Sequence, residues 1–483
     1  MISRYVSAPL VALAVTVAGC ASSAPPGDEA FSNVSRSVAE RGGHRVHWNR
    51  GTHADAEALE SVRQLLAAPL TPDVAVQVAL LNNPSLQATY EDVGVAQAQL
   101  VGAGLLSNPV FDGEARFGEG GSGTGLELTV TQDFLDVFQI PLRKRLATDE
   151  LRMAELRTAD AVLNLAAEVR EAYYAAQGAT QLLELRKTAA EATGASADFA
   201  KRLRDAGNVP ELDRIAEQAL HESAMIELTS AQAEVEQARQ RLATLMGVID
   251  DNVWTLPPRL ADTPAEAFDV AAIETVALDQ RLDLRAADHR IRFAQRSLGG
   301  AKRYGAVDHV EVGGGADREP GDEWSFGPNL VVPIPLFNQG QSRIASARAE
   351  LRRARAQRDA TALTARSEVR TAASKVVAAQ QRVARLRDVI LPLRQRVLEQ
   401  TVLQYNAMNV GVFDLLRAKQ EQIGAAAQYV EALHDYWTAR SKLTQAAGGQ
   451  LPVRTITTTQ PATAPASVPT SAPADAHQHH HHH

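Results

Sequence analysis

The sequence VALLNNPSLQA, from Val78 to Ala88, returns in altered form as VALDQRLDLRA, from Val276 to Ala286, about 200 residues further along the chain. A similar offset separates GNVPELD, Gly207 to Asp213, from MNVGVFD, Met408 to Asp414. Shorter matches lie between these segments in the same order. Each match alone is weak, but their constant order and spacing predict that the chain contains one large structural unit twice.

The repeats divide the chain into six parts. Each repeat is expected to begin with an Ala- and Leu-rich helix, to continue with two strands, and to end with a long helical hairpin. The expected parts are a signal peptide (1–19), a lipidated amino-terminal segment (20–70), repeat 1 (71–248), a Pro-rich connector (249–268), repeat 2 (269–449) and a disordered Pro/Thr-rich and His-rich tail (450–483).

Each repeat contains two short segments in which apolar and polar residues alternate, at about 108–133 and 307–335. Such alternation is also typical of a half-buried strand in a soluble sheet, and that alternative stays open. However, we expect only four strands, and no second sheet is available to cover their apolar faces. The pattern therefore favours transmembrane strands, and because four strands are too few to close a barrel, several chains would have to share one.

A very long helical stretch follows each pair of strands. Leu142 to Ala206 contains no proline, and Pro392 is the one proline between Gln341 and Ala407. About 65 helical residues extend on the order of 100 Å, far beyond the usual helix length. Each stretch needs a partner alongside it, and the chain supplies one by turning back through a second helix. The fold class is therefore mainly α, with long helical hairpins and a small sheet.

The amino terminus predicts a lipid anchor. One basic residue precedes an apolar run from Tyr5 to Val17, which is typical of a secretory leader and too short to be a permanent membrane span. The sequence VAGC that ends at Cys20 is similar to the lipobox of bacterial lipoproteins, whose cysteine carries acyl chains after cleavage. An ordinary spare thiol is the alternative. Ala21 is typical of lipoproteins sorted to the outer membrane.

Composition limits the function. The net charge is -8 and no basic stripe with interleaved aromatic residues occurs, which argues against nucleic acid as a partner. No nucleophile elbow, phosphate-binding loop or zinc-protease helix is present, which argues against an enzyme. An export conduit and a lipid-anchored periplasmic coiled-coil scaffold without a pore remain, as does a periplasmic adaptor. The two strand pairs favour the conduit.

In its arrangement of repeats, strands and hairpins, the chain from about Leu70 to Gly449 resembles the TolC-type outer-membrane efflux channels. The most specific segments are ALLNNPSLQA, PIPLFNQG (Pro333 to Gly340) and YNAMNVGVFDLLRA (Tyr405 to Ala418). The segment RGGHRVHWNRGT, Arg41 to Thr52, resembles a subgroup associated with the export of heavy metals, particularly copper. Drugs or small organic molecules are the alternative cargo.

The resemblance implies a homotrimer in the outer membrane. Three chains of four strands would close a twelve-stranded barrel in contact with outer-membrane lipids, and their helical hairpins would form a tunnel through the periplasm. It also implies that the chain has no catalytic site and no cofactor apart from the lipid on Cys20. An inner-membrane pump would supply the energy, and a periplasmic adaptor protein would join that pump to the hairpin tips.

The hairpin tips carry the candidate gate. Tyr405 and Asp414 match positions that hold the periplasmic entrance closed in the resembling family, and three carboxylates near one axis would create a focused negative potential. The alternative for Asp414, and more so for Asp213, is a carboxylate in the first turn of a helix. Arg417 stands where the family often has a second aspartate, so that it could pair with Asp414.

Histidines supply the candidate metal ligands, because imidazole suits copper, zinc and nickel. We take the terminal run HQHHHHH as a native tract that binds metal transiently, with a purification tag as the alternative. Its candidate ligands are His477, His479, His480, His481, His482 and His483. His44, His47 and His53 are expected to be solvated in a mobile segment.

Overall fold

The computed structural model describes residues 28–117, 124–250, 253–307, 309–319, 321–452 and 454–455. The signal peptide, Cys20 and the histidines of the tail lie outside these ranges. The elements, in chain order, are α1 (Asp28–Gly42), α2 (His53–Leu66), α3 (Pro72–Asn82), α4 (Pro84–Gly102), β1 (Val110–Phe117), β2 (Thr124–Asp133), α5 (Leu135–Asp205), α6 (Glu211–Met246), β3 (Glu266–Ala267), α7 (Val270–Gln280), α8 (Leu282–Tyr304), β4 (Glu311–Arg318), β5 (Ser325–Val331), α9 (Gln341–Arg385), a π-helical segment (Leu386–Ile390), α10 (Leu391–Asn406), α11 (Val412–Ala446) and β6 (Arg454–Thr455).

The predicted fold class is confirmed: the chain is mainly helical, with one four-stranded sheet and two long hairpins. Helices α3 and α4, strands β1 and β2, and the hairpin α5–α6 form the first unit. Helices α7 and α8, strands β4 and β5, and the hairpin of α9, α10 and α11 repeat that order.

The stretch from Val78 to Ala88 forms a corner that clasps the end of the first hairpin. Asn83 caps α4, because its side-chain oxygen accepts the N–H of Leu86 at 2.9 Å. The amide of Asn83 donates to the carbonyl of Leu245 at 2.8 Å, and the amide of Asn82 donates to that of Gly247 at 2.7 Å. Two carbonyls at the end of α6 are satisfied in this way, so the corner fixes where the hairpin ends.

In the second repeat, Arg281 takes the place of Asn83. Its guanidinium donates to Asp283 at 2.8 Å and to Glu368 at 2.5 Å, and also approaches the carbonyl of Ala446 at the end of α11. Burial alone would lower the pKa of Arg281, but the hydrogen bonds to Asp283 and Glu368 raise it above its ordinary value. An ionic corner therefore replaces the amide corner of the first repeat.

The long helices lie side by side in the order α6, α5, α11 and then α9 with α10. Helix α5 packs against α6 on one side and α11 on the other, and α11 packs against α9 and α10. The repeats are also joined where α5 meets α8: the buried Asp149 accepts hydrogen bonds from Arg296 at 2.5 Å and from His289 at 3.4 Å. Burial and Arg292 lower the pKa of His289.

All neighbouring strands of the sheet are antiparallel, in the order β1, β2, β4, β5. Strand β2 of the first repeat therefore pairs directly with β4 of the second. The N–H of Phe134 donates to the carbonyl of Val310 at 2.7 Å, and the N–H of Val310 donates to Asp133, 177 positions earlier in the chain. The two short strands β3 and β6 pair with each other, so part of the expected connector and part of the expected tail are ordered together.

The first long helix of the second hairpin is interrupted between α9 and α10, whereas its counterpart α5 in the first repeat is continuous. The π-helical segment Leu386–Ile390 ends immediately before α10, which carries Pro392 in its first turn. A proline has no N–H to donate to the preceding turn, and a wider turn is one way to accommodate this loss. The segment inserts one extra residue per turn, which rotates the exposed face of α10 relative to that of α9.

The segment from Arg41 to Thr52 is ordered, and the expectation that it is mobile is wrong. The side-chain oxygen of Gln77 accepts a hydrogen bond from the backbone N–H of Arg45 at 3.0 Å. The side-chain nitrogen of Gln77 donates one to the backbone carbonyl of Arg45 at 2.8 Å. Trp48 is buried, and its indole N–H donates to Glu91 at 2.8 Å. Side chains of α3 and α4 thus bind the segment through its backbone, which leaves little trace in its own sequence.

The three histidines near this segment differ from one another. His44 is buried and lies 3.0 Å from the Arg170 guanidinium, while His47 pairs with Asp55 at 2.7 Å. His53 alone is exposed to solvent as predicted. Burial, followed by the charge of Arg170, lowers the pKa of His44. Burial would raise the pKa of Asp55, but its hydrogen bonds to His47 and to backbone N–H groups lower it to about 2.

Candidate functional site

One face of the sheet carries large apolar side chains from all four strands. The strand register places Phe111 opposite Val130, and Ala316 opposite both Leu128 and Phe326. Every large apolar side chain on this face is exposed, to as much as 80% for Phe117 and Phe326. The set comprises Phe111, Phe117, Leu126, Leu128, Val130, Val312, Phe326 and Leu330. A face of this kind requires an apolar surrounding.

The opposite face of the sheet is mainly polar. Arg116 donates to Glu114 at 3.0 Å and to Glu127 on the neighbouring strand at 2.9 Å. Ser325 and Asp317 are hydrogen-bonded across β4 and β5. Apolar groups on one face and ion-paired groups on the other are the arrangement of a strand with lipid on one side and water on the other.

Exposed apolar residues continue where the strands join the long helices. Phe134 and Phe138 form an edge-to-face pair with ring centroids 5.5 Å apart. On the other side of the junction, Phe337 and Ile334 are also largely exposed. The apolar surface therefore extends beyond the strands onto the start of α5 and the segment before α9.

The two hairpin tips share one backbone geometry. Gly207 and Met408 occupy matching positions and both have positive φ angles, of 76° and 58°. At the first tip the N–H of Asn208 donates to the carbonyl of Leu203, and at the second the N–H of Asn409 donates to that of Gln404. This pattern closes a helix with a left-handed residue. Met408 adopts it without the freedom of glycine and is 94% exposed.

At the second tip, Asp414 lies in the first turn of the return helix α11. Its carboxylate accepts the N–H of Gly411 at 3.2 Å, and its own N–H donates to the carbonyl of Gly411 at 3.2 Å. Tyr405 is 39% exposed, and Arg417 is exposed one turn after Asp414. Among the described residues these two charged groups form no ion pair, because the carboxylate is turned towards Gly411 instead. The structure therefore brings Tyr405, Asp414 and Arg417 to one tip, without joining them directly.

The first tip is held by an ion triad. Glu211 lies 2.6 Å from Arg214 and 3.2 Å from Arg204, so that the carboxylate joins the two helices of the hairpin. The hydrogen bond from Arg214 lowers the pKa of Glu211. Asp213 is half-buried in the first turn of α6. Sequence analysis missed this triad, although the i,i+3 spacing of Glu211 and Arg214 was a local signal for one of its two pairs.

A cavity of about 540 Å³, which several charged side chains line, lies between the repeats, where α5, α9 and α11 meet the ionic corner. Asp160, Glu368 and Lys442 line it together with Arg281. Burial, and then the charge of Asp283, raises the pKa of Asp160. Sequence reasoning missed this cavity, since its charges come from four distant segments.

Among the described residues, no cluster of three or more His, Cys, Asp or Glu side chains could hold a metal ion. In the same part of the chain, no helix is both long enough and apolar enough to cross a membrane.

The chain matches the family described as Outer membrane efflux protein over residues 75–248 and 275–449. It is similar to the cobalt-zinc-cadmium resistance protein CzcC of Cupriavidus metallidurans, with 21% identity over 79% of this chain and 91% of that protein. It is also similar to the outer membrane protein OprJ of Pseudomonas aeruginosa, with 27% identity over 58% of this chain and 63% of that protein.

Solved structures share the fold. The outer-membrane channel OprN superposes with a TM-score of 0.63 at 21% identity, over 84% of this chain and 94% of OprN. The CmeC outer membrane channel of Campylobacter jejuni gives a TM-score of 0.66 at 16% identity, over 84% of this chain and 91% of CmeC. CusC, whose structures concern transmembrane channel formation, gives a TM-score of 0.63 at 18% identity, over 80% of this chain and 94% of CusC.

Proposed function

The chain belongs to the outer membrane efflux protein family, and on that premise we propose that it is the outer-membrane conduit of a tripartite efflux system that exports heavy-metal ions. It is located in the outer membrane, with its helical part in the periplasm. The proposal covers the passive conduit, its assembly and its cargo, which are argued separately below.

The sheet with one apolar and one polar face is the observation that carries the conduit. Exposed Phe111, Phe117 and Phe326 suit lipid, while the ion pair of Arg116 and Glu127 on the other face suits water. A periplasmic scaffold would gain nothing from such a sheet, because its apolar face would remain in water. The long hairpins extend from the same sheet and provide the walls of a tunnel.

The assembly is a homotrimer. Four strands cannot enclose a water-filled channel, whereas twelve strands from three chains can. The hairpin tips are then the contact for a periplasmic adaptor, which connects the channel to an inner-membrane pump. We further propose that Cys20 carries the lipid anchor and that Tyr405, Asp414, Arg417 and Asp213 form the periplasmic gate. We also propose that the histidine tail binds metal outside the channel.

The cargo rests on the relatives. The curated relative that covers 79% of this chain is named for resistance to cobalt, zinc and cadmium. A passive conduit need not bind its cargo, so the absence of a metal cluster among the described residues is compatible with metal export. The cargo would be selected by the pump.

The proposal is tested first in a planar bilayer. The purified full-length protein should form stable trimers by native mass spectrometry and conduct ions. A protein that inserts as a monomer, or that never conducts, would instead support the scaffold.

The cargo is tested in cells that lack the gene. Loss of the conduit should increase the intracellular content of cobalt, zinc, cadmium or copper, measured by mass spectrometry, and the intact gene should restore the normal content. Sensitivity to a panel of organic dyes and antibiotics serves as the control. If only the organic compounds accumulate, the conduit stands and the metal cargo is wrong.

A further inference from the structure

The row of long helices has two outer edges, α6 at one end and α9 with α10 at the other. Helix α6 packs against α5 and, at its carboxyl end, against α3, while α9 packs against α7, α8 and α11. Each outer helix therefore has one side turned away from its own chain. If copies of the chain form a closed ring, the α6 edge of one copy must meet the α9–α10 edge of the next.

The α6 edge carries a seam at coiled-coil spacing. Leu212, Ile215 and Ile226 are exposed on it, with Leu212 at 74% and Ile226 at 69%. Small and polar residues fill the remaining positions, in steps of three and four. The seam consists of Leu212, Ile215, Ala219, Glu222, Ile226, Thr229, Ala233 and Glu236. Exposed apolar groups at this spacing are typical of a helix that packs against another helix.

The α9–α10 edge carries a matching seam. Ser374, Ala378, Gln381 and Arg385 follow one another in the same steps of three and four, and all are exposed. Beyond the π-helical segment, Leu393 and Val397 continue the seam, exposed by 48% and 45%. Leu393 and Val397 therefore give the α10 part of this edge an exposed apolar surface of its own.

The helices that form the two edges have opposite net charge. Helix α6 carries seven acidic and three basic residues, whereas α9 carries eleven basic and three acidic residues. Many of these groups pair within the chain, as Arg382 does with Asp435 and Glu227 with Arg186. Glu222, Glu236, Arg385 and Arg396 are exposed and have no ion-pair partner among the described residues.

These unpaired charges lie at corresponding heights along the helices. Arg382 of α9 forms an ion pair with Asp435 of α11, so these two residues lie at one height. The neighbouring His434 contacts Gly178 of α5. Gly178 in turn lines a groove together with Ala238 of α6, which brings α6 to the same height. Because the helices are antiparallel, Glu236 is then level with Arg385 to within about one helical turn of 5.4 Å. Nearer the tip, the ion pair of Arg394 with Glu421 keeps α10 and α11 in the same register. Counting about the same distance along α6 from Glu236 places Glu222 level with Arg396, again to within about one helical turn.

We propose that the α6 edge docks on the α9–α10 edge of a second copy of this chain, with Glu236 facing Arg385 and Glu222 facing Arg396. The inference rests on the proposed assembly into a closed ring, because rotation about an axis along the helices keeps equal heights opposite each other. The charges then fix the direction and register of the contact, since two α6 edges or two α9 edges would repel.

Charge reversal tests the pairing. One variant combines Glu222→Arg with Glu236→Arg, a second combines Arg385→Glu with Arg396→Glu, and a third carries all four changes. Each two-residue variant should raise the protein concentration at half-assembly, measured by mass photometry of detergent-solubilised protein, at least about tenfold. The four-residue variant should assemble as well as the wild type, because its pairs are restored with opposite sign.

Matched controls separate this pairing from folding and from the conduit itself. Glu57→Arg with Glu60→Arg makes the same charge change on the exposed face of α2 and should leave assembly unchanged. Circular dichroism confirms that each variant remains helical. If the wild type forms conducting trimers while both two-residue variants assemble normally, or while the four-residue variant is not restored, the pairing is wrong and the conduit stands. If the wild type forms no trimer, the proposed function fails.

Discussion

Two substitutions at Asp414 separate its charge from its hydrogen bond. Asp414→Asn removes the negative charge but keeps an oxygen that can accept the N–H of Gly411, whereas Asp414→Ala removes both. If the carboxylate helps to close the periplasmic entrance, both variants should raise the conductance of the channel in a planar bilayer. Combining Asp414→Ala with Tyr405→Phe should raise it further, and the trimer should remain intact.

The size of the local effect follows from the same contact. A hydrogen bond of this type contributes about 0.5–1.5 kcal/mol, which is about a 2- to 13-fold change in an equilibrium constant. Asp414→Ala should therefore accelerate hydrogen exchange by about that factor at Gly411 and in the first turn of α11. Asp414→Asn should change it much less.

Conductance and exchange are measured on the same trimers, so the two roles are compared directly. The gate reasoning would be refuted if Asp414→Asn conducts like the wild type while Asp414→Ala alters only the exchange of the first turn. Asp414 would then serve only to start α11, which is the alternative that its hydrogen bond to Gly411 favours.

Four further outcomes are expected. Mass spectrometry of the mature amino terminus should find acylated Cys20, and an unmodified terminus at another residue would contradict the anchor. Deleting Ala476 to His483 should lower zinc or copper binding in calorimetry without loss of trimer; unchanged binding would exclude the tail as a site. Met408→Gly should stabilise the second tip by about 1 kcal/mol, seen as slower hydrogen exchange, because glycine has no steric cost at positive φ. The pKa of His44 is lowered by burial and then by Arg170, so its contribution to binding the segment 41–52 is present above about pH 6.5 and is lost as the pH falls. Protection factors there, which are exchange rates corrected for the intrinsic pH dependence of amide exchange, should fall between about pH 7 and pH 5, and His44→Gln but not His53→Gln should abolish this pH dependence.

The repeated architecture could be predicted because its signals are local. Alternation in the strands and the length of the helical stretches depend on residues that are close in sequence, and the match between the two halves strengthens each signal. The turn at Gly207 was visible for the same reason. The charge difference between α6 and α9 is also present in the sequence, but its meaning depends on the order of the helices, which only the structure provides.

Other features depend on contacts between distant residues. The segment around Trp48 has no helical or strand period, and its order comes from Gln77, Gln87 and Glu91, which belong to helices that have their own packing. The ionic corner at Arg281 likewise joins segments that are far apart in the chain. For Asp414, sequence matching and helix-start rules gave two readings of one residue, and the geometry is compatible with both.

The pairing of β2 with β4 also sets the order in which the protein can fold. The hydrogen bond between Asp133 and Val310 spans 177 residues, so the sheet cannot be completed until the strands of the second repeat, which end at Val331, have been synthesised. Until then β2 has no strand of its own chain to pair with on its outer edge. Bringing β2 and β4 together closes a loop of 177 residues, which is slow. A first repeat that has been made before β4 and β5 therefore exposes both an unpaired strand edge and an apolar face, which favour aggregation.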